Sequence, residues 1–140
     1  MTAKAYLRQL RQLENAIGTM KSELIRLRTK IESPGGPKYT ASRVQYSTGE
    51  ALENGVIKLS MLEGRIVEKL AEYEETRERI IEEILSLPDP VQAKVLYAVY
   101  VDGLPIWKTA MRLHYSERHI KTIHGRALTE FYNRIISKQA

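Results

Sequence analysis

The sequence predicts an all-α protein in two parts: a long helical hairpin or coiled coil over residues 1–87, then a domain of short helices over residues 88–140. Three observations predict it. Apolar residues near the start recur at alternating intervals of four and three, the repeat of a helix that pairs with another. Residues 50–87 carry a similar, interrupted repeat. Beyond them, Pro88-Asp89-Pro90, Asp102-Gly103 and His114-Tyr115 divide the chain into short amphipathic segments.

The first helix is expected over residues 3–32. Tyr6, Leu10, Leu13, Ile17, Met20, Leu24, Leu27 and Ile31 form an unbroken apolar seam along it. A helix of this length spans about 45 Å and cannot bury such a seam alone. Gly18 is its weakest point, because glycine disfavours a helix interior. Ser33-Pro34-Gly35-Gly36-Pro37 ends the helix and opens a loop over 33–49. Gly35-Gly36 lacks the Gly-Lys-Ser/Thr ending and the preceding strand of a phosphate-binding loop.

The second helix, residues 50–87, has its seam at Leu52, Val56, Leu59, Ile66, Leu70, Tyr73, Ile80, Ile84 and Leu87, with Glu63 and Arg77 at the two remaining positions. Glu72, Glu74, Glu75, Glu78, Glu82 and Glu83 read as a solvated outer face rather than a catalytic or metal cluster. Residues 1–43 hold nine Lys and Arg against three Asp and Glu, whereas residues 44–90 hold five against eleven. The two helices are therefore electrostatically complementary, within one chain or between two. Leu10, Leu13, Ile17, Met20, Leu24 and Leu27, with Ile66, Tyr73 and Ile80, are the expected oligomerisation contacts. Met61 and Leu62 remain for a second copy to cover, so a homodimer is expected, with a higher oligomer as the alternative.

Asp89 then caps a third helix and Pro90 suits its first position. Val91, Val95, Leu96 and Val99 give it an apolar face, and Asp102-Gly103 closes it. Ile106, Ala110 and Leu113 form the stripe of a short helix opened by Pro105; His114-Tyr115 is a turn with Tyr115 directed inward. Ser116 caps the next helix, and Glu117 suits the positive end of its dipole. Ile120, Ile123, Ala127, Leu128 and Phe131 fall on its buried stripe at about 100° per residue. Arg118, Thr122, Gly125 and Thr129 lie opposite, flanked by Lys121 and Arg126, and Tyr132, Ile135 and Ile136 extend the helix.

Two short helices joined in this way predict a helix-turn-helix, whose second helix can lie in the major groove of double-stranded DNA. The charge agrees: residues 91–140 hold eight Lys and Arg against three Asp and Glu, an imbalance suited to nucleic acid. Arg118 and Thr122, with Lys121, are expected at base edges; Lys121, Arg126, Lys108 and Arg112 are expected at phosphates.

Other classes find no support. There is no cysteine, hence no disulfide or thiolate metal site. His114, His119 and His124 are five apart, so on a helix they diverge by about 140° and do not converge on a metal. No Ser–His–Asp set or carboxylate pair suggests an enzyme, and no cofactor is expected. No apolar run of membrane-spanning length and no signal pattern at Met1 occur, so a cytosolic location away from membranes is expected.

The segment YSERHIKTIHGRAL resembles the DNA-reading end of region four of bacterial sigma factors, with Ser116, Ile120, Ile123, Ala127 and Leu128 matching its framework. The resemblance covers residues 90–136 and places the family's contacting residues on Glu117, Arg118, Lys121 and Thr122. Across most of the chain, the seam-bearing first helix, the Gly/Pro loop with Ser42-Arg43-Val44-Gln45, the acidic second helix and this C-terminal motif resemble the small ArpU/RinA-type regulators of phages and prophages. That resemblance implies a DNA-binding transcriptional regulator, an activator of late phage genes. Two alternatives stay open. One is the DNA-recognition small subunit of a phage packaging terminase, which would form a ring. The other is an interaction protein that binds RNA polymerase or another regulator instead of DNA; the order Glu117-Arg118, reversed from the sigma pattern, leaves room for it.

Overall fold

The computed structural model describes residues 1–32 and 41–139, with side chains from residue 52 onward in the second stretch. Every regular element among the described residues is helical: α1 (Ala3–Leu7), α2 (Gln9–Glu32), α3 (Ala41–Leu85), α4 (Pro90–Leu96), α5 (Ile106–Leu113), α6 (Glu117–Phe131) and α7 (Ser137–Gln139). Two five-residue π-helical turns, Tyr97–Val101 and Tyr132–Ile136, continue α4 and α6. The fold is all-α.

Three boundaries differ from the expectation. The first helix divides at Arg8, where the Gln9 side-chain amide donates to the Tyr6 carbonyl (2.9 Å) and competes for an acceptor of the helical ladder. The second long helix begins at Ala41 rather than after a loop to 49. No proline lies between Ala41 and Gly49, and one helical glycine costs only about 1 kcal/mol relative to alanine. It ends at Leu85, ahead of Pro88, which restricts the backbone of the residue before it. The breaker Ser33-Pro34-Gly35-Gly36-Pro37 and the rest of the loop to residue 40 lie outside the described residues.

The chain forms two compact units, Met1–Glu14 with Tyr73–Ala140, and Asn15–Glu72. The division between these units falls within the two long helices. In the first unit, Tyr6, Leu7 and Leu10 pack with Ile80, Ile84, Leu96 and Phe131 in one core. The Tyr6 and Phe131 rings stand 5.7 Å apart at 44°. The Tyr6 hydroxyl donates to Glu83 Oε1 (2.6 Å), and Gln139 of α7 donates to the other oxygen of that carboxylate (3.1 Å). The Tyr73 hydroxyl donates to Glu14 (2.7 Å). Burial first, and the Glu14 carboxylate second, push that phenol up to about 12.

Leu10 and Ile80, expected between chains, are fully buried in this chain's own core, and Tyr73 packs against it. The reason is that short helices wrap the ends of the two long ones, which a seam pattern alone does not reveal. Val95, Ala110, Ile120 and Ile123 make a second cluster that joins α4, α5 and α6.

The second unit contains the remainder of α2 and α3. Arg28 pairs with Glu63 (2.9 Å), so the polar seam position finds an opposite charge. Ile31 lies against Gly55, where an added Cβ would meet it at 3.1 Å. The contact partners thus run in opposite directions along the two helices. Ile17 and Ile66 are buried, and Met20, Leu24 and Leu27 are half-buried, as is Leu13 in the first unit. Leu52 and Val56, expected on the seam, are about half exposed (47% and 50%), because one neighbouring helix covers only one stripe.

Candidate nucleic-acid interface

The helix α6 is fixed at its start by Ser116, whose hydroxyl accepts from the His119 N–H (3.1 Å). Its inner stripe, Ile120, Ile123, Ala127 and Phe131, is buried, and Leu128 is half-buried beside it. Helical geometry then dictates the rest: residues half a turn away must face outward. Arg118, Thr122, Gly125 and Thr129 do so, with Lys121 and Arg126 on the flanks and Glu117 in the first turn, all exposed. A Cβ at Gly125 would meet nothing within 4 Å. Packing within the chain therefore does not require glycine there. The Thr122 and Thr129 hydroxyls donate to the carbonyls of Arg118 (3.2 Å) and Gly125 (3.1 Å), which leaves their oxygens free to accept from outside.

The turn before α6 is set by His114, which takes the left-handed conformation at φ 60° and caps α5. Pro105 is the residue before α5 rather than its first helical residue. Thr109 is fully buried, and its hydroxyl is satisfied by the Pro105 carbonyl (3.1 Å). Tyr115 does not turn inward: it is 41% exposed, with its ring 4.9 Å from the His119 imidazole. It continues the exposed row of Trp107 and Met111, four residues apart, while Ala110, Leu113, Ile120 and Ile123 form the core beside it.

The predicted phosphate-binding residues differ in their surroundings. Lys121 and Arg126 make no ion pair among the described residues. Lys108 is exposed, with its Nζ 5.3 Å from the centre of the Trp107 ring. Arg112 is paired with Asp102, so part of its charge is already compensated. The three histidines have three different environments: His114 in the turn, His119 against Tyr115, and His124 half-buried with its Nε2 2.8 Å from the Tyr100 hydroxyl. Among the described residues no group of three His, Cys, Asp or Glu comes together as a metal site, and no helix is long and apolar enough to cross a membrane.

A group absent from the predicted set lies beside α6. Lys4, Arg8 and Arg11 line an open cleft of about 310 Å³ with Tyr100, Gly103 and His124. Burial first, and the Lys4 ammonium second, hold His124 below the ordinary imidazole range. Burial pushes the Tyr100 phenol up, opposed by the Arg8 guanidinium. The signal for this group was present in the sequence, three basic residues at spacings of four and three beside the apolar seam. It reads as the outer face of a coiled coil until the short helices are seen to pack there. No family model matches the chain, and neither a curated protein nor a solved structure matches it.

Proposed function

We propose that this protein is a sequence-specific DNA-binding transcriptional regulator in which α5 and α6 act as a helix-turn-helix and α6 reads the major groove. The observation that carries this reading is the outer face of α6. It presents two flanking cations without ion-pair partners among the described residues, one central Arg, two Thr oxygens and a glycine that internal packing does not need. A major groove admits a helix of this kind, and its base edges offer partners to Arg and Thr. Arg118 and Thr122 contact bases, while Lys121, Arg126 and Lys108 neutralise phosphates. Arg112 is the weakest of the set, because Asp102 already pairs with it.

A homodimer gives the two reading helices a fixed spacing, about 34 Å for successive major grooves. The exposed Ile57, Met61 and Val67 support such pairing. The resemblance of the chain to ArpU/RinA-type regulators gives the reading its biological setting, control of phage or prophage genes.

The test is a DNA-binding titration at two salt concentrations, with mass measured in the same buffer. Fragment-selective, salt-sensitive binding by a dimer is expected, with Arg118→Ala relaxing selectivity and Arg126→Ala weakening all DNA alike. Equal losses on specific and random DNA for both variants would overturn the base-contact assignment, and a large ring would favour the packaging reading. A second reading has one observation behind it. Trp107, Met111 and Tyr115 recur every four residues and are exposed, a surface suited to a protein partner such as RNA polymerase. Retained partner binding by Lys121→Glu/Arg126→Glu, with no DNA binding by the wild type, would establish it instead.

A further inference from the structure

We infer that the cleft lined by Lys4, Arg8, Arg11 and His124 is a phosphate site, and that its ligand is a backbone phosphodiester of the duplex whose groove α6 enters. The choice of DNA as the source of the phosphate rests on the function proposed above; the phosphate site itself does not.

Charge carries the argument first. Lys4, Arg8 and Arg11 stand four and three residues apart, so they project from one side of the N-terminal helical segment. Among the described residues only Arg11 has a carboxylate partner, Glu14 at 2.9 Å. The positive potential of Lys4 and Arg8 is felt by the His124 and Tyr100 rings across the cleft. Three cations facing one carboxylate around a concave surface favour a compact anion.

Shape adds to this. Gly103 has φ +70°, and a Cβ there would lie 1.3 Å from Arg11 Nη2, so the guanidinium occupies the space that a side chain would take. Glu14 holds its other nitrogen, Nη1. Arg11 is thereby positioned on the cleft wall, while Lys4 and Arg8 stay exposed at the opening. Pro105 and Ile106, at the start of α5, also line the cleft, and that helix start has no side-chain cap. The Tyr100 hydroxyl and His124 add polar hydrogen-bonding groups.

Position identifies the source. His124 follows Lys121 by three residues on α6, so the two side chains are neighbours on one flank of the helix. The basic surface thus runs from the outer face of α6, through Lys121, to Lys4 and Arg8. A helix seated in a major groove has phosphates along its flanks, and the cleft, lined by His124, lies beside the flank of α6 that carries Lys121. The N-terminal residues would in this way form part of the DNA-binding surface.

The experiment compares the wild type with Lys4→Ala/Arg8→Ala and with Lys21→Ala/Lys30→Ala, an equal loss of charge on exposed residues away from the cleft. Inorganic phosphate is titrated at constant ionic strength against chloride, and the His124 imidazole resonances are followed by NMR. A saturable shift is expected in the wild type and the control, and none in the cleft variant. No shift in the wild type, or an equal shift in all three, overturns the phosphate site.

DNA binding is then measured against salt. The cleft variant is expected to lose about one to two units of the log–log salt slope, close to 0.9 per phosphate contact. Its preference between specific and random DNA and its melting temperature should not change. An unchanged slope, or an equal loss in the control, overturns DNA as the source. A wild type that shows the phosphate shift but binds no DNA leaves the phosphate site standing with a free phosphate as its ligand, and removes the proposed function.

Discussion

The same two long helices contribute to both compact units, yet they bury apolar side chains very differently in each. In Met1–Glu14 with Tyr73–Ala140, Leu7, Leu10, Ile80, Ile84, Leu96, Ile120 and Phe131 have no solvent exposure. In Asn15–Glu72, Ile25, Val56, Ile57, Met61 and Val67 are at least half exposed, and Ile17 and Ile66 are the buried hydrophobics among the described residues. Two helices side by side cover one stripe each. A core needs a further layer, which α4, α5 and α6 supply in the first unit. Among the described residues, the second unit has no such layer, which is the opening for the pairing proposed above.

The largest effects should therefore come from the first unit. Phe131→Ala removes a fully buried ring that touches both the N-terminal helix and the short helices, and is expected to cost about 3–5 kcal/mol in urea unfolding. A loss below about 1 kcal/mol, more typical of a surface change, would mean that α6 does not hold this core together.

The next test separates the two units directly. Leu10→Ala should cost about 2–5 kcal/mol without changing the mass in solution, because Leu10 is a contact within the chain. Met61→Ser/Val67→Ser should do the reverse, halving the mass and removing any dependence of melting temperature on protein concentration. If Leu10→Ala also dissociates the protein, the contrast between the two units is broken.

Smaller effects concern the helix starts. Asp89 accepts from the Val91 N–H (2.9 Å) and Ser116 from the His119 N–H, so either residue changed to Ala should cost about 1 kcal/mol. Ser116→Ala should in addition weaken DNA binding, since it loosens the first turn of α6, whereas Asp89→Ala should not.

The smallest effect is a pH dependence. Burial holds the folded-state pKa of His124 below the unfolded value, so the native state resists a proton that the unfolded state accepts. The stability that neutral His124 contributes is full above about pH 6.5 and declines as the pH falls from there toward the depressed folded-state value. His124→Gln should flatten that part of the acid unfolding curve. An unchanged curve would mean that His124 is protonated as readily in the folded protein as in the unfolded one.

Much of this was legible in the sequence because it depends on neighbours along the chain. The caps at Asp89 and Ser116, the turn at His114 and the buried stripe from Ile120 to Phe131 follow from residue type and helical period, and the structure contains each of them. The exposed face of α6 follows from the same period. The ion pair that occupies Arg112 was not legible, since Asp102 lies ten residues away and the two meet only when α5 packs. The outward position of Tyr115 was not legible from residue type: an aromatic ring suits a core, but Ala110, Leu113, Ile120 and Ile123 form the one beside it while Tyr115 continues the exposed row of Trp107 and Met111.

The sequence by itself determined an all-helical chain, the order of its helices and which face of α6 is polar, because spacing and capping act within a few residues. Only the tertiary structure decided that residues 1–14 belong with the short helices, that Leu10 and Ile80 lie in this chain's own core, and that Lys4, Arg8 and Arg11 gather beside His124. An apolar repeat states that a helix must be covered, but not by what, since every helix with a matching stripe satisfies it equally well. Shape and volume, which select among those partners, arise only when the whole chain is packed.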